Sequence, residues 1–298
     1  MTNLEAKPQI IKVAAVQTNP LIGEKDKNIS RILRRMEEAA TQGAKLIVFS
    51  EAEVTGYCYT QLEEAKMYAE EVPGPSTEVI LLKSRELGVH VVVGLLELEQ
   101  DKLYNTAVLI GPTGILGKYR KTHIIHLGVD RFTCKGDLAY TVHSTEIGRI
   151  GMIICYDLRF PEPCRVLALK GTDIVVDPTN LPMGAEAHID YLLPARAVEN
   201  RVFIIAASRV GVERGTQFIG RSSIVEPSGK ILAQATGDKE EIIYAELDLS
   251  RARAKGSVIK PGEYEFDIFK DRRPELYSAI VAPITRNSHT EIPCRCKQ

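Results

Sequence analysis

The apolar run Ile150 to Ile154 reads as a strand buried on both faces, and it ends at Cys155, with Pro161 placed at the first position of a following helix. Such a run carries a thiol to the rim of a sheet. A helix start just downstream favours the thiolate, the form that attacks carbon. Core packing is the ordinary fate of a lone cysteine after an apolar run, so a chemical role needs partners. Glu51 stands just beyond another apolar run, Ala44 to Phe49, and Lys121 comes off the end of Ile115 to Arg120. In open sheets the crevice lies outside the carboxyl ends of the parallel strands, which is where Glu51 and Cys155 both belong. A thiol, a carboxylate and an ammonium in one pocket suit acyl transfer from a carbon-nitrogen bond. Cys155 would attack the carbon of an amide or nitrile. Glu51 would take the thiol proton, pass it to the departing nitrogen and later activate water. Lys121 would face the developing oxyanion with the backbone N–H of Tyr156 as a second donor, a contribution of roughly 3 kcal/mol per donor. Each residue also has a plain reading: Glu51 as a strand-end carboxylate in solvent, Lys121 as one cation of the solvated stretch Lys118-Tyr119-Arg120-Lys121.

The elements that must position these residues alternate between strand and helix. Lys12 to Gln17 and Ala44 to Phe49 read as strands, separated by a helix with Ile29, Ile32, Leu33, Met36, Ala39 and Ala40 on one face and Gly43 at its stop. Ser76 to Leu87 reads as a helix closed by Gly88, His90 to Gly94 as a strand, and Tyr104 to Ile110 with Ile115 to Arg120 as a hairpin around Gly111-Pro112-Thr113-Gly114. A similar series recurs from Arg149: strand Ile150 to Ile154, helix Pro161 to Lys170, strand Asp173 to Val176, a helical stretch Ala185 to Asn200 restarted at Pro194, strand Arg201 to Ala207, and a hairpin around Glu226-Pro227-Ser228-Gly229. The chain therefore reads as two halves of one design, an α/β fold whose two mixed sheets pack face to face in a four-layer α-β-β-α sandwich with pseudo-two-fold internal halves. No linker separates the halves, so 1–298 is expected to be a single domain, with a core at about 11–249 and a C-terminal arm at 250–298. Thr122 to Asp137 reads as a shaped loop, and Asp271 to Glu275 as a surface arm or one that packs on a partner subunit.

Length and composition fit this picture. The 298 residues are 44% hydrophobic and 26% charged, and Lys plus Arg (38) balance Asp plus Glu (39), so no basic field points to nucleic acid or an anionic membrane. Small molecules are the expected partners. Met1 to Pro8 is short and polar, unlike a signal peptide, and no long apolar run suggests a membrane span, so a cytoplasmic location is expected. The six cysteines lack regular spacing and are expected to be reduced. No metal is expected: Cys294-Arg295-Cys296 has no second Cys/His pair nearby, and His123 and His126 lack a third ligand.

Phe49-Ser50-Glu51-Ala52-Glu53-Val54-Thr55-Gly56-Tyr57, Lys118-Tyr119-Arg120-Lys121-Thr122-His123 and Ile154-Cys155-Tyr156-Asp157-Leu158-Arg159-Phe160-Pro161-Glu162 resemble the three signature segments of the nitrilase superfamily of carbon-nitrogen hydrolases. They occur in the family's order, and the similarity runs from about Ile11 to Tyr277. The resemblance implies a catalytic triad of Glu51, Lys121 and Cys155, the layered α-β-β-α fold, no cofactor, and dimers that extend the sandwich across a two-fold axis. One departure is Ser50, where family members commonly carry proline. Many members have a second glutamate between the lysine and the cysteine that helps to position the substrate; here Asp130 is the candidate, with Asp137 the weaker one, and a surface pair of Asp130 with Arg131 is the plain reading. Asp177-Pro178-Thr179-Asn180 should line the pocket, with Thr179 and Asn180 as candidates for orienting substrate, although turn chemistry explains Asn and Pro there equally well.

The segment around Cys155 resembles amidase-like branches, and the chain has no tryptophan, whereas typical nitrilases tend to carry one after the cysteine. Arg209 to Gly215 and Asp267 to Arg273 instead resemble segments of small archaeal-type members considered aliphatic nitrilases. The expectation is an amidase releasing ammonia from a small amide, with nitrile hydrolysis and cleavage of an N-carbamoyl amine or amino acid as alternatives. An acyltransferase would use the same acyl-enzyme, and a non-catalytic scaffold would follow if the three residues lay far apart.

Overall fold

The computed structural model describes residues 9–283; the polar stretch Met1 to Pro8 and the Cys294-Arg295-Cys296 pair lie outside the described residues. The first sheet begins with β1 (Ile10–Gln17), followed by α1 (Lys25–Thr41) and β2 (Leu46–Val48). After α2 (Leu62–Tyr68) and α3 (Pro75–Leu87) come β3 (His90–Glu99), β4 (Lys102–Gly111) and β5 (Gly114–Arg120). The second sheet holds β6 (Val142–Thr145), β7 (Gly148–Met152), β8 (Ile174–Thr179) and β9 (Phe203–Ser208), with α4 (Pro161–Leu169) and α5 (Leu193–Asn200) in the connections. A small hairpin, β10 (Val210–Glu213) with β11 (Thr216–Ile219), precedes β12 (Ser223–Val225) and β13 (Ile231–Gln234). The chain then returns as β14 (Glu241–Asp248) to the first sheet.

The strand orders are β14-β1-β2-β3-β4-β5 and β13-β12-β9-β8-β7-β6. Read from opposite ends they match: β1, β2, β3 and β7, β8, β9 are parallel triplets, each flanked by an antiparallel hairpin on one side and an antiparallel edge strand on the other. The two-halves reading holds, with one crossing. The edge strand of the first sheet comes from the far end of the second half.

Side-chain alternation along the strands builds the layers. Ala14, Val16, Ile47, Phe49, Val91 and Val93 face outward and form one apolar cluster with Ile32, Met36 and Ala39 of α1 and Ile80 of α3. Val13, Ala15, Leu46, Val48 and Val92 face the other way and join Ile150, Met152, Ile174, Val176 and Ile205 in the cluster between the sheets. Each such fully buried side chain contributes about 1.5–3 kcal/mol. On the far side of the second sheet Gly151 lies under α4, where a Cβ would come within 2.9 Å of Leu167 Cδ2, so glycine lets the helix sit close. The result is the expected helix-sheet-sheet-helix sandwich.

Local signals set most boundaries. Pro75 and Pro161 occupy the first turns of α3 and α4, and Gly88 closes α3 in the left-handed conformation (φ +62°). Pro194 restarts the helix where a π-helical turn, His188–Leu192, gives way to α5. The strand expected over Ile150 to Ile154 is displaced to Gly148–Met152, because the chain leaves the ladder to turn at Cys155. The arm forms a hairpin, β15 (Gly256–Lys260) with β16 (Tyr264–Asp267), and folds back over α4, bordering an open cavity of about 820 Å³ lined by Arg165, Leu169, Ile268, Pro274, Tyr277 and Ile280 among others. No helix of the described residues is long and apolar enough to cross a membrane.

Candidate active site

Glu51 follows β2, and Ala52 directly after it takes a left-handed backbone (φ +49°), which turns the chain sharply at the sheet rim. Lys121 follows β5 and Asp130 sits in the 3₁₀ turn Gly128–Arg131 of the long loop. All three side chains are buried and meet. Lys121 Nζ donates to Glu51 Oε1 at 2.6 Å and to Asp130 Oδ2 at 2.5 Å. Asn105 Nδ2, from β4, bridges the same two carboxylates at 2.7 and 2.9 Å, and the Tyr57 hydroxyl donates to Asp130 at 3.2 Å. Asp130 is therefore no surface partner of Arg131, whose guanidinium instead donates to the carbonyls of Gly128 and Tyr59.

The lysine neighbourhood is not a solvated face either. Lys118 and Arg120 both bind the buried Glu97, while Tyr119 and Lys121 point the other way by strand alternation. Tyr119 reaches Asp157 and Lys121 reaches Glu51.

Cys155 begins the 3₁₀ turn Cys155–Arg159 with φ +49°, an αL conformation that costs a non-glycine residue about 1–3 kcal/mol. Two buried carboxylates hold this turn. Asp177 Oδ1 accepts the Cys155 N–H at 2.6 Å, and Asp157 Oδ2 accepts the Ile154 N–H at 3.0 Å and the Tyr119 hydroxyl at 2.8 Å. Asp157 Oδ1 accepts from the Thr122 hydroxyl and from the His123 N–H, both at 2.9 Å, so one carboxylate ties the segment after Lys121 to the segment around Cys155. His123 Nδ1 lies 2.7 Å from the same oxygen and its ring stacks on Phe160, which accounts for this histidine without a metal. Among the described residues no His/Cys/Asp/Glu group has a metal-site arrangement.

Asn180 Nδ2 donates to the Glu51 carbonyl at 2.9 Å, and the Asn180 carbonyl lies 4.0 Å from Cys155 Sγ, so this residue spans acid and thiol. Thr179 is fully buried, and its hydroxyl is near enough to the thiol to favour its ionisation, though it stops short of full hydrogen-bond geometry. Tyr156, half-buried, packs edge-to-face on Phe160 at 5.3 Å. Ser50 is built into the site: its hydroxyl donates to Glu53 at 2.5 Å, and Thr18 donates to the same buried carboxylate at 2.7 Å. Glu213, paired with buried Arg209, accepts the backbone N–H groups of Tyr57 and Cys58 and pins the loop after Glu51.

The electrostatics correct one expectation. The helix start was expected to favour a thiolate, but burial, reinforced by the Glu51 charge, pushes the Cys155 thiol well up, and the pull of Lys121 and Thr179 does not offset it. Helix α4 begins only at Pro161, one 3₁₀ turn beyond the sulfur. The thiol is therefore protonated at rest and would need a base in order to act as a nucleophile. Burial and the Asp130 charge raise Glu51 to about 7 against the pull of Lys121. Burial lowers Lys121, but Asp130 and Glu51 outweigh it, so the ammonium stays charged. Glu51 Oε1 takes both the Lys121 and Asn105 bonds, while Oε2 is buried and has no hydrogen-bond partner among the described residues.

Sequence reasoning overlooked Asn105, Tyr57, Asp157 and His188, and it placed Asp177 at the pocket without its bond to the Cys155 N–H. Asn105 carries a readable signal, an amide set with Thr106 between apolar Leu103-Tyr104 and Ala107 to Ile110. The large cavity under the arm is lined by none of Glu51, Lys121 and Cys155.

Residues 12–256 match the family model described as carbon-nitrogen hydrolase. A nitrilase of Pyrococcus abyssi is 42% identical over 90% of this chain and 99% of its own length, and the human omega-amidase NIT2 is 32% identical over 85% and 92%. Among solved structures, Saccharomyces cerevisiae Nit3, described as a member of branch 10 of the nitrilase superfamily, superposes with a TM-score of 0.75 at 29% identity, covering 83% of this chain and 93% of its own. The carbon-nitrogen hydrolase of Helicobacter pylori G27 shares the fold with a TM-score of 0.81 at 24% identity, over 92% and 99%. The chain belongs to the nitrilase superfamily of carbon-nitrogen hydrolases.

Proposed function

We propose that this hydrolase cleaves a small amide through a cysteine thioester, releasing ammonia and a carboxylic acid. The observation that carries the reading is the unpartnered Oε2 of Glu51, on a carboxyl near neutrality beside a protonated thiol. As Cys155 Sγ bonds to the amide carbon, its proton passes to Glu51, and the carbonyl electrons move onto oxygen. Lys121 Nζ and the Tyr156 backbone N–H face that oxyanion. Collapse breaks the carbon-nitrogen bond, and Glu51 gives its proton to the nitrogen, which leaves as ammonia. Water then loses a proton to Glu51 and attacks the thioester, and the departing sulfur recovers that proton. Asp130 holds Lys121 and the Glu51 carboxyl in register, while Thr179 and Asn180 orient the substrate.

The Pyrococcus abyssi relative, named a nitrilase, favours a second reading, nitrile hydrolysis by the same three residues, with aliphatic nitriles the class that the segments Arg209 to Gly215 and Asp267 to Arg273 suggest. Cleavage of an N-carbamoyl amine or amino acid needs the same acyl chemistry. The further reading is one hydrolase unit with a C-terminal arm, working without a cofactor in the cytoplasm as a homodimer or higher homo-oligomer. The exposed apolar side chains of Tyr191, in the π-helical turn, and Val198, in α5, support the pairing.

An ammonia-release screen over short amides, dinitriles and carbamoyl compounds tests the assignment, with Cys155→Ala as control. Amides should give ammonia and a hydroxylamine-sensitive acyl adduct on Cys155. Ammonia from nitriles alone would move the enzyme to the second reading, and undiminished turnover by Cys155→Ala would end the mechanism.

A further inference from the structure

We infer that Asp177, steadied by His188, is a positioning residue for the nucleophile, holding the Cys155 backbone in the left-handed turn that presents its sulfur to Glu51 and Lys121. The inference rests on reading Cys155 as the nucleophile. Strands β7 and β8 pair in parallel with Met152 opposite Val176, and Ile153 still donates its N–H to the Val176 carbonyl at 3.0 Å. Two residues on, the Cys155 N–H would need the next ladder carbonyl. The chain turns away there, and the Asp177 side chain supplies the acceptor instead, at 2.6 Å. A carboxylate bond to a backbone N–H is charge-assisted and about twice as strong as a neutral one, which suits a backbone held in a costly conformation.

The second oxygen of Asp177 lies 3.3 Å from His188 Nε2, and both side chains are buried. Burial raises the Asp177 carboxyl, while His188 and the Cys155 N–H favour its ionised form; as a carboxylate it only accepts, so Nε2 carries the hydrogen. His188 opens the π-helical turn His188–Leu192, so the clamp joins the end of β8 to the start of the helical stretch that covers the second sheet. The carboxylate has a second effect. Burial and the Glu51 charge dominate the raising of the Cys155 thiol, and Asp177 adds to it. The titratable groups around the clamp are His188, Asp157 and Cys155, and Cys164 of α4 also feels its charge; Glu51 and Lys121 face the sulfur from the first sheet.

Three variants separate positioning from mere support: Asp177→Ala, Asp177→Asn and His188→Ala. The readouts are kcat and KM for ammonia release, the pH dependence of Cys155 alkylation by iodoacetamide, and the melting temperature. Asp177→Ala should lower kcat roughly tenfold to a hundredfold with KM little changed, the size expected when a reacting atom is displaced by about 1 Å. Asp177→Asn keeps an acceptor for the Cys155 N–H and should recover most of kcat, while its lost charge moves the alkylation midpoint to lower pH. His188→Ala should fall between the parent and Asp177→Ala. A folded Asp177→Ala enzyme with the parent kcat would overturn the inference, as would an Asp177→Asn enzyme whose alkylation profile matches the parent. Alkylation needs no substrate, so these results stand apart from the substrate assignment. An active Cys155→Ala enzyme would instead remove the mechanism beneath both.

Discussion

Nζ of Lys121 lies 2.6 Å from Oε1 of Glu51, and neither side chain is open to solvent. Such a pair has no water to fall back on, so its parts are unequal in what their removal does. Lys121→Met would leave Glu51 and Asp130 as two buried carboxylates in contact with the same small volume, at a cost of about 3–5 kcal/mol. The variant should melt well below the parent and should be inactive even where folded. A Lys121→Met protein with the parent melting temperature would show that the carboxylates find other partners.

Glu51→Gln keeps the shape and an acceptor for Lys121 and Asn105, so its melting temperature should change little. Its amide cannot take the thiol proton, and loss of a general base typically costs 10²–10⁴-fold, so kcat should fall by about that factor. Near-normal turnover would assign the proton to another group.

The pH profile follows from the direction of the shift. Glu51 must be ionised to receive the thiol proton, and its carboxyl sits at about 7, so kcat/KM should fall as pH drops below that value, by about tenfold per pH unit. Asp130 contributes to the raised value through its negative charge. Asp130→Asn removes that charge, and the acid limb should move to lower pH even if the overall rate drops. A limb that stays in place would mean that Asp130 does not act on Glu51 electrostatically.

Gly94 shows how the backbone around Glu51 depends on a residue outside the signature segments. A Cβ on Gly94 would lie 2.6 Å from the Ser50 carbonyl oxygen and 2.9 Å from Glu51 Cα, both backbone atoms that cannot swing aside. Gly94→Ala should therefore push Glu51 out of line, destabilising by about 1–3 kcal/mol. The loss of kcat should exceed the change in KM, and steady-state kinetics with a thermal melt would check both. Parent-like kcat would mean the β2 end can shift without harm.

What the chain discloses before folding depends on whether a signal is local. Apolar runs such as Ala44 to Phe49, the period of Ile29 to Ala40, and stops such as Gly88 are written in neighbouring residues, and those elements are found in place. The α2 helix, the β6 edge strand and the β10-β11 hairpin are short and partly exposed, so their patterns are too weak to stand out. Glu51 and Cys155 were legible as candidates because each follows an apolar run, and Lys121 because of the signature-like segment that carries it. The roles of Asp157, Asp177 and Glu213 were not legible, because each accepts N–H groups that the turns at Ile154, Cys155 and Tyr57 leave unpaired. That need exists only once the sheets have packed and excluded water.

Asp157 makes the last of these points testable. Its two oxygens accept from the Ile154 and His123 backbone N–H groups and from the Tyr119 and Thr122 hydroxyls, joining the loop after Lys121 to the turn at Cys155. Asp157→Ala leaves several buried donors without a partner, each worth about 1–3 kcal/mol, so the melting temperature should drop sharply. Asp157→Asn keeps one carbonyl acceptor and should melt between that variant and the parent. Because the carboxylate reaches the segments of both Lys121 and Cys155, kcat should fall in the same order as stability. If Asp157→Ala melts like the parent and hydrolyses amide at the parent rate, the two segments are held in register by other contacts, of which the Asn180 bond to the Glu51 carbonyl is the first to examine.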